Sequence, residues 1–227
     1  MRVSAIIPAA GRGRRVGGNQ NKLYLHIKGK PVIIHTLFAL KAVAQITEII
    51  LVIAADEEGL CHRTLNKFHI KGIITTTGGE NRQTSVANGL ARASDDSELI
   101  LIHDGARPFV SLSIITKIIN EAGLYGAAVT AIPITNTIKE GDEEGFVKST
   151  LKRDRLWSVQ TPQAFKSNLI KDAHRKAAAD GFTGTDDAML VERLGHPVKI
   201  VKGSSENIKI TTSRDFIIAK EIFRGRN

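Results

Sequence analysis

Apolar residues fall along this chain in two alternating rhythms. Short runs recur at 3–7, 48–53, 73–76, 99–102 and 127–132, for example Val3-Ser4-Ala5-Ile6-Ile7 and Leu99-Ile100-Leu101-Ile102. Runs this short and this continuous predict strands buried on both faces. Between them, at 31–43, 57–67, 82–92 and 111–122, the pattern predicts helices, the first with an apolar face of Ile34, Leu37, Phe38 and residues 40–44. Pro31 suits a helix opening and Ser111 a helix cap. Strands alternating with helices imply a Rossmann-like, mostly parallel α/β sheet covered on both faces.

The rhythm breaks between 133 and 157. Residues 135–139, a polar turn rich in Gly and acidic side chains, and residues 146–150 read as a β-hairpin with too little apolar content for its own core. Such an arm suits packing on a partner subunit, and Leu156 and Trp157 beyond it need burial. The tail then reads as a loop at 160–165, a helix at 168–179, a helix at 186–194 capped by Thr185-Asp186-Asp187, a strand at 198–201, an extended piece at 207–210 and a final helix capped by Ser213. No composition shift divides the chain, so residues 1–227 read as a single domain.

Ligands of such sheets lie beyond the carboxyl ends of the strands. That rule brings the loops at 8–22, 77–85 and 103–108 to one rim. The first contains Ala9, Ala10, Gly11, Arg12, Gly13, Arg14, Arg15 and, at its end, Lys22. Glycine and small side chains let a ligand approach the backbone, and the cations suit phosphates. A basic surface turn would look similar. The dinucleotide fingerprint fails because Val16 stands where its third glycine belongs, and no Gly-Lys-Ser/Thr follows for a P-loop.

The chain carries 32 Lys+Arg against 23 Asp+Glu, a net charge of +9, which favours anionic partners. Its basic residues are spread out and its aromatics few, so small phosphorylated substrates fit better than nucleic acid. No apolar stretch approaches a membrane span. Met1 is followed at once by a strand rather than a leader, and Cys61, the single cysteine, fits a reducing, cytoplasmic setting.

Asp104 follows a buried strand directly, where a carboxylate can hold Mg²⁺ beside nucleotide phosphates or simply cap a turn through Gly105. Arg107 beside it can fork onto a phosphate. The loop of Gly78, Gly79, Glu80, Asn81 and Arg82 opens a helix whose free amides, with Ser85 one turn in, could read a base edge or form an ordinary cap. Asp186 and Asp187 could be a metal pair but suit a cap better. Spacing does not single out Lys139, Arg153 or Lys209. No general base or nucleophile stands out.

Taken together, Pro8-Ala9-Ala10-Gly11 through Arg15 and Lys22, Gly78-Gly79 with Arg82 and Ser85-Val86, His103-Asp104-Gly105-Ala106-Arg107-Pro108, Thr137-Ile138-Lys139, Gln160-Thr161-Pro162-Gln163, Thr185-Asp186-Asp187 and Asn207-Ile208-Lys209 occur in the order seen in the bacterial and plastid 2-C-methyl-D-erythritol 4-phosphate cytidylyltransferases. The chain resembles that family over nearly its whole length. Asn21 and Leu23 flank Lys22 where many relatives carry proline and glutamine.

The resemblance implies a nucleotidyltransferase fold, a homodimer joined through the 133–157 arm, and Mg²⁺-dependent transfer of CMP from CTP to methylerythritol phosphate. It implies catalytic parts for Arg15, Lys22 and Lys209. Ala9, Ala10, Gly11, Gly13, Gly79, Glu80, Arg82, Ser85, Asp104 and Gly105 would hold the nucleotide, with Asp104 on the metal. Arg107, Thr137, Lys139, Arg153 and Thr185, with Lys209, would hold the polyol phosphate, Thr137 and Arg153 across the dimer. A phosphate monoester, with its second pKa at about 6, is already largely a dianion and needs no base. The alternatives are a cytidylyltransferase for another polyol phosphate such as ribitol 5-phosphate, a nucleic-acid-binding module, or a CTP-binding regulator without turnover.

Overall fold

A computed structural model of the chain describes residues 1–11 and 21–225. In chain order its strands and helices are β1 (Val3–Pro8), β2 (His26–Ile27), β3 (Lys30–Pro31), α1 (Val32–Lys41), β4 (Ile46–Ile53), α2 (Glu58–Lys67), β5 (Ile73–Thr77), α3 (Arg82–Leu90) and β6 (Leu99–Ile102). There follow α4 (Leu112–Tyr125), β7 (Ala127–Pro133), β8 (Lys139–Gly141), β9 (Val147–Thr150), β10 (Trp157–Lys166), α5 (Ser167–Ala179), α6 (Asp187–Arg193), β11 (Lys199–Lys202) and α7 (Ser213–Gly225).

Seven strands form one sheet in the order β11-β7-β10-β6-β1-β4-β5. β1 pairs in parallel with β4 and β6, as β4 does with β5 and β7 with β11. Alternation along each strand divides the core. Val3, Ala5, Ile7, Leu99 and Leu101 enter one apolar cluster with residues of α1, α2, α4 and α7. Ile6, Ile50, Val52, Ile100 and Ile102 enter a second with residues of α3, α5 and α6. Period-two side chains on continuous apolar runs thus feed two helix layers.

One strand departs from the sequence-based expectation. The segment read as a loop at 160–165 belongs to β10, which lies in mid-sheet and runs antiparallel to both β6 and β7. Its register shifts between Gln160 and Gln163, around Pro162, which is how a residue without an N–H is accommodated in a central strand. Two smaller differences concern the tail. Residues 207–210 form no strand. Ser213 is already helical, and Thr212 bonds the Asp215 N–H as the cap.

The 133–157 segment contains the hairpin β8–β9, shorter than its sequence suggests. Polar side chains hold it, with Lys139 bonding Thr150, and Lys148 and Ser149 bonding Glu140. Phe146 and Val147 are exposed.

Candidate functional site

The carboxyl end of β1 and the loops that follow β1, β5 and β6 border a cleft of about 250 Å³. Backbone bonds bring its loops together. The Ala9 N–H donates to Val52 O and the Gly78 N–H to Ile53 O, while the His103 N–H donates to Ile6 O. The sheet ladder therefore continues a residue or so past the strands and holds the loop starts side by side.

Two glycines are required here by close approach. A Cβ on Gly78 would lie 2.4 Å from the Ala10 Cβ, and one on Gly79 would lie 2.4 Å from the Thr84 hydroxyl oxygen. The following helix is capped by Asn81, whose side chain accepts from the Thr84 N–H, and Thr84 closes the capping box. Ser85 reaches the cleft, but its hydroxyl accepts from the Gly79 N–H and donates to Asn81 O. Its first task is to shape the loop. Reading of a base edge by the Ser85 hydroxyl is thereby limited to its remaining lone pair.

Asn21 fixes the chain just ahead of Lys22. Its buried side chain caps the short 3₁₀ turn of Lys22–Tyr24 by accepting from the Leu23 N–H. Its amide donates to Ala9 O and to Glu57. Lys22 is thereby set on the cleft wall.

Asp104 forms the floor. Its side chain is 9% exposed and meets three cations, with Lys209 Nζ at 2.9 Å and Arg82 Nε and Arg107 Nε each at 3.5 Å. Burial alone would raise the carboxyl pKa, but the charges of Lys209, Arg82 and Arg107 outweigh it and hold the group well below the usual carboxylate range. With Asp187, which also pairs with Arg82, two carboxylates face three cations, and the single excess positive charge makes the floor a setting for anionic ligands.

The floor is tied down from behind. The Asp104 N–H donates to the Thr161 hydroxyl, and Thr161 also meets His103 Nδ1 at 3.2 Å. His103 Nε2 lies 3.0 Å from Arg107 O, and burial pushes the imidazole pKa down to about 4, so the ring is neutral. Lys209 arrives on a segment fixed by the Ile210 N–H to Ala106 O and by the buried Asn207 amide to Thr161 O. Arg107 donates to Asn207 O.

Of the residues singled out in the sequence, the cleft brings together Ala9, Ala10, Gly11, Lys22, Gly79, Glu80, Arg82, Ser85, Asp104 and Lys209. Gly105 packs just beneath, its added Cβ 2.9 Å from Ile33, and Arg107 lies behind Asp104. Thr137, Lys139 and Arg153 stand apart, exposed on the arm, and Thr185 is exposed ahead of α6. Gly13 and Arg15, with Arg12 and Arg14, lie outside the described residues. Sequence reasoning gave no role to Thr161 or Asn207, whose parts are hydrogen bonds to segments distant in sequence. Asp186 and Asp187 are not a metal pair. Asp186 caps α6 through the Met189 N–H, whereas Asp187 is buried against Arg82.

Among the described residues no group of three or more His, Cys, Asp or Glu side chains is arranged to hold a metal. The donor chemistry nonetheless fits Mg²⁺. That ion commonly takes one or two carboxylates and completes its shell with phosphates and water, and Asp104 supplies an ionised carboxylate beside an anion-favouring cleft. Among the described residues no helix is long and apolar enough to cross a membrane.

The family model described as IspD, 2-C-methyl-D-erythritol 4-phosphate cytidylyltransferase, matches residues 3–225. Proteins so named from Desulforamulus reducens and Caldanaerobacter subterraneus are each 46% identical to this chain, covering 99% of it and 97% and 100% of themselves. The crystal structure of 4-diphosphocytidyl-2C-methyl-D-erythritol synthase from Anaerococcus prevotii superposes with a TM-score of 0.89 at 38% identity, over 98% of this chain and 96% of its own.

Proposed function

The chain belongs to the 2-C-methyl-D-erythritol 4-phosphate cytidylyltransferase family, and we propose that the cleft around Asp104 is where it performs that family's reaction. The enzyme transfers CMP from CTP to 2-C-methyl-D-erythritol 4-phosphate, giving 4-diphosphocytidyl-2-C-methyl-D-erythritol and pyrophosphate, a step of the non-mevalonate isoprenoid pathway. The observation that carries the site reading is the ionised, buried carboxylate ringed by Lys209, Arg82 and Arg107.

In this reading a phosphate oxygen of the polyol phosphate attacks the α-phosphorus of CTP. A P–O bond forms to it as the bond between the α-phosphorus and the bridging oxygen of pyrophosphate breaks, and pyrophosphate leaves with the electron pair. The nucleophile is ionised at neutral pH, so no side chain has to remove a proton. What opposes reaction is the approach of two anions. Lys22 and Lys209 lie against the triphosphate in this reading, and they and Arg15 neutralise charge as it builds on the α-phosphoryl oxygens. Gly78 and Gly79 leave the backbone bare for the cytidine, with Ala9, Ala10, Gly11 and Glu80 around it. Mg²⁺, when bound by Asp104 and the phosphates, supplies further charge neutralisation.

Arg107, Thr185 and Lys209 face the polyol phosphate in this reading, joined by Thr137, Lys139 and Arg153 from the arm of a second subunit. That arrangement is supported by the exposed Phe146 and Val147 on a hairpin without a core. The whole chain acts as one nucleotidyltransferase domain, in the cytoplasm. The ribitol phosphate alternative gains nothing from the relatives, which are named for methylerythritol phosphate.

The test is pyrophosphate release from CTP and Mg²⁺, run in parallel with methylerythritol phosphate, ribitol phosphate and no acceptor. Release with methylerythritol phosphate, abolished by Asp104→Ala, is expected. Full activity in Asp104→Ala would remove the cleft from the account.

A further inference from the structure

Arg82 opens α3 at the edge of the cleft and is shared between two carboxylates. Its Nη1 lies 2.7 Å from Asp187 Oδ2, while its Nε lies 3.5 Å from Asp104 Oδ1. The tight contact is with the residue outside the cleft. Asp187 is 1% exposed and makes no contact with the cleft lining other than Arg82 among the ion pairs and hydrogen bonds of the described residues. Its other oxygen meets His174 Nε2 at 3.2 Å, and His174 is itself buried on α5.

The surroundings of Asp187 are fixed from three sides. Asp186, just before it, caps α6 and accepts from the Gln163 amide of β10 at 2.7 Å. Gln83, next to Arg82, donates to Phe182 O and accepts from the Gly184 N–H, tying the start of α3 to the loop that leads into α6. As the first residue of α6, Asp187 also has its charge at the end of a helix that favours an anion. The carboxylate is therefore a stationary post, and Arg82 is a long side chain with much rotamer freedom to lose.

We propose that Asp187, backed by His174, is a positioning residue that holds the Arg82 guanidinium at the edge of the nucleotide cleft and keeps its contact with Asp104 a loose one. Without the negative charge at Asp187, the strongest remaining partner of Arg82 is Asp104, which already meets Lys209 and Arg107. Arg82 then closes over the Asp104 carboxylate. It is lost to the nucleotide, and the carboxylate that should receive other charge is covered. Arg82 thus serves in two ways through one distant carboxylate, by being present and by leaving Asp104 partly uncovered.

The inference rests on Arg82 belonging to the nucleotide site, so the experiment separates the two. CTP-dependent pyrophosphate release is measured for Arg82→Ala, Asp187→Asn and the double variant, with thermal melting of each. An impaired Arg82→Ala supports its place in the site, and an unimpaired one overturns that place and the inference with it. Given that impairment, Asp187→Asn is expected to lower kcat/KM roughly 10–100-fold, as removal of an orienting partner does in metal sites, with a raised KM for CTP. A loss of folded enzyme alone would lower kcat at unchanged KM. In the Arg82→Ala background Asp187→Asn should cost little more, because the group it positions is gone. Wild-type kinetics for Asp187→Asn, or its full cost in both backgrounds, overturns the inference. Should Asp187→Asn fail to fold, His174 decides. His174→Gln keeps a donor to Asp187 and His174→Phe does not, so activity retained in the first and reduced in the second supports the inference, and equal activity in both overturns it.

Discussion

The cleft floor and the 133–157 arm carry charged side chains of the same kinds in opposite surroundings. Asp104 is buried, meets three cations, and is reached by hydrogen bonds from β10 and from the segment before Lys209. Arg153 is exposed and donates to Thr135 O, 18 residues earlier within the same arm. The floor is complete within one chain because the sheet brings its parts together. The arm has polar bonds along itself, and none of residues 134–157 belongs to either apolar core cluster. A preorganised charge cluster suits the chemical step, where reorganisation would be costly. A loosely supported arm suits a part whose final position comes from another surface.

The contrast makes graded predictions. The largest effect belongs to the cleft wall. Lys22→Ala should lower kcat on the order of 10²–10³-fold, about 2.7–4 kcal/mol in the barrier, by analogy with loss of a charge-stabilising donor. Melting should be unchanged, and steady-state pyrophosphate release reads the loss.

Next is the floor's support. The folded His103 has its pKa lowered to about 4 from 6.5 by burial, so the unfolded chain takes up a proton that the folded chain refuses. The stability linked to the neutral ring is whole above pH 6.5 and is lost as the pH falls toward 4. In urea titrations without nucleotide, His103→Gln should flatten that decline, by on the order of 3 kcal/mol at most. An unchanged slope would mean that His103 is not the group that titrates.

Gly78→Ala comes third. Its Cβ has no space beside Ala10, so the two rim loops must part, at a cost of about 1–3 kcal/mol in stability and a raised KM for CTP. The smallest effect on folding is on the arm. Arg153→Ala should change stability by less than about 0.5 kcal/mol, and raise KM for methylerythritol phosphate while leaving KM for CTP alone. A large melting shift in Arg153→Ala would erase the distinction between the two regions.

Much of this was readable in the sequence, for a physical reason. Residues 3–7, 49–53 and 99–102 are buried on both faces, so every position there had to be apolar or small, and the runs stand out. Asp104 announced itself as a carboxylate directly after such a run. β10 did not, because its central stretch, Gln160-Thr161-Pro162-Gln163, carries the signs of a loop. Those polar side chains are buried and bonded to Ser204 O, Asp104 and Asp186. A strand that uses its side chains to join loops looks like a loop. Lys209 and Asp187 were equally silent. One looks like a surface lysine and the other like a helix cap until the fold brings Asp104 and Arg82 beside them.

The central claim is that clustered cations around one ionised carboxylate, rather than a proton-transferring side chain, drive the transfer. It is met most directly by a crystal structure of the enzyme with CTP and Mg²⁺. The account predicts the triphosphate within hydrogen-bonding distance of both Lys22 and Lys209, with Asp104 on the metal. A triphosphate bound away from the Gly78 loop, with Lys22 and Lys209 turned to solvent, would contradict it.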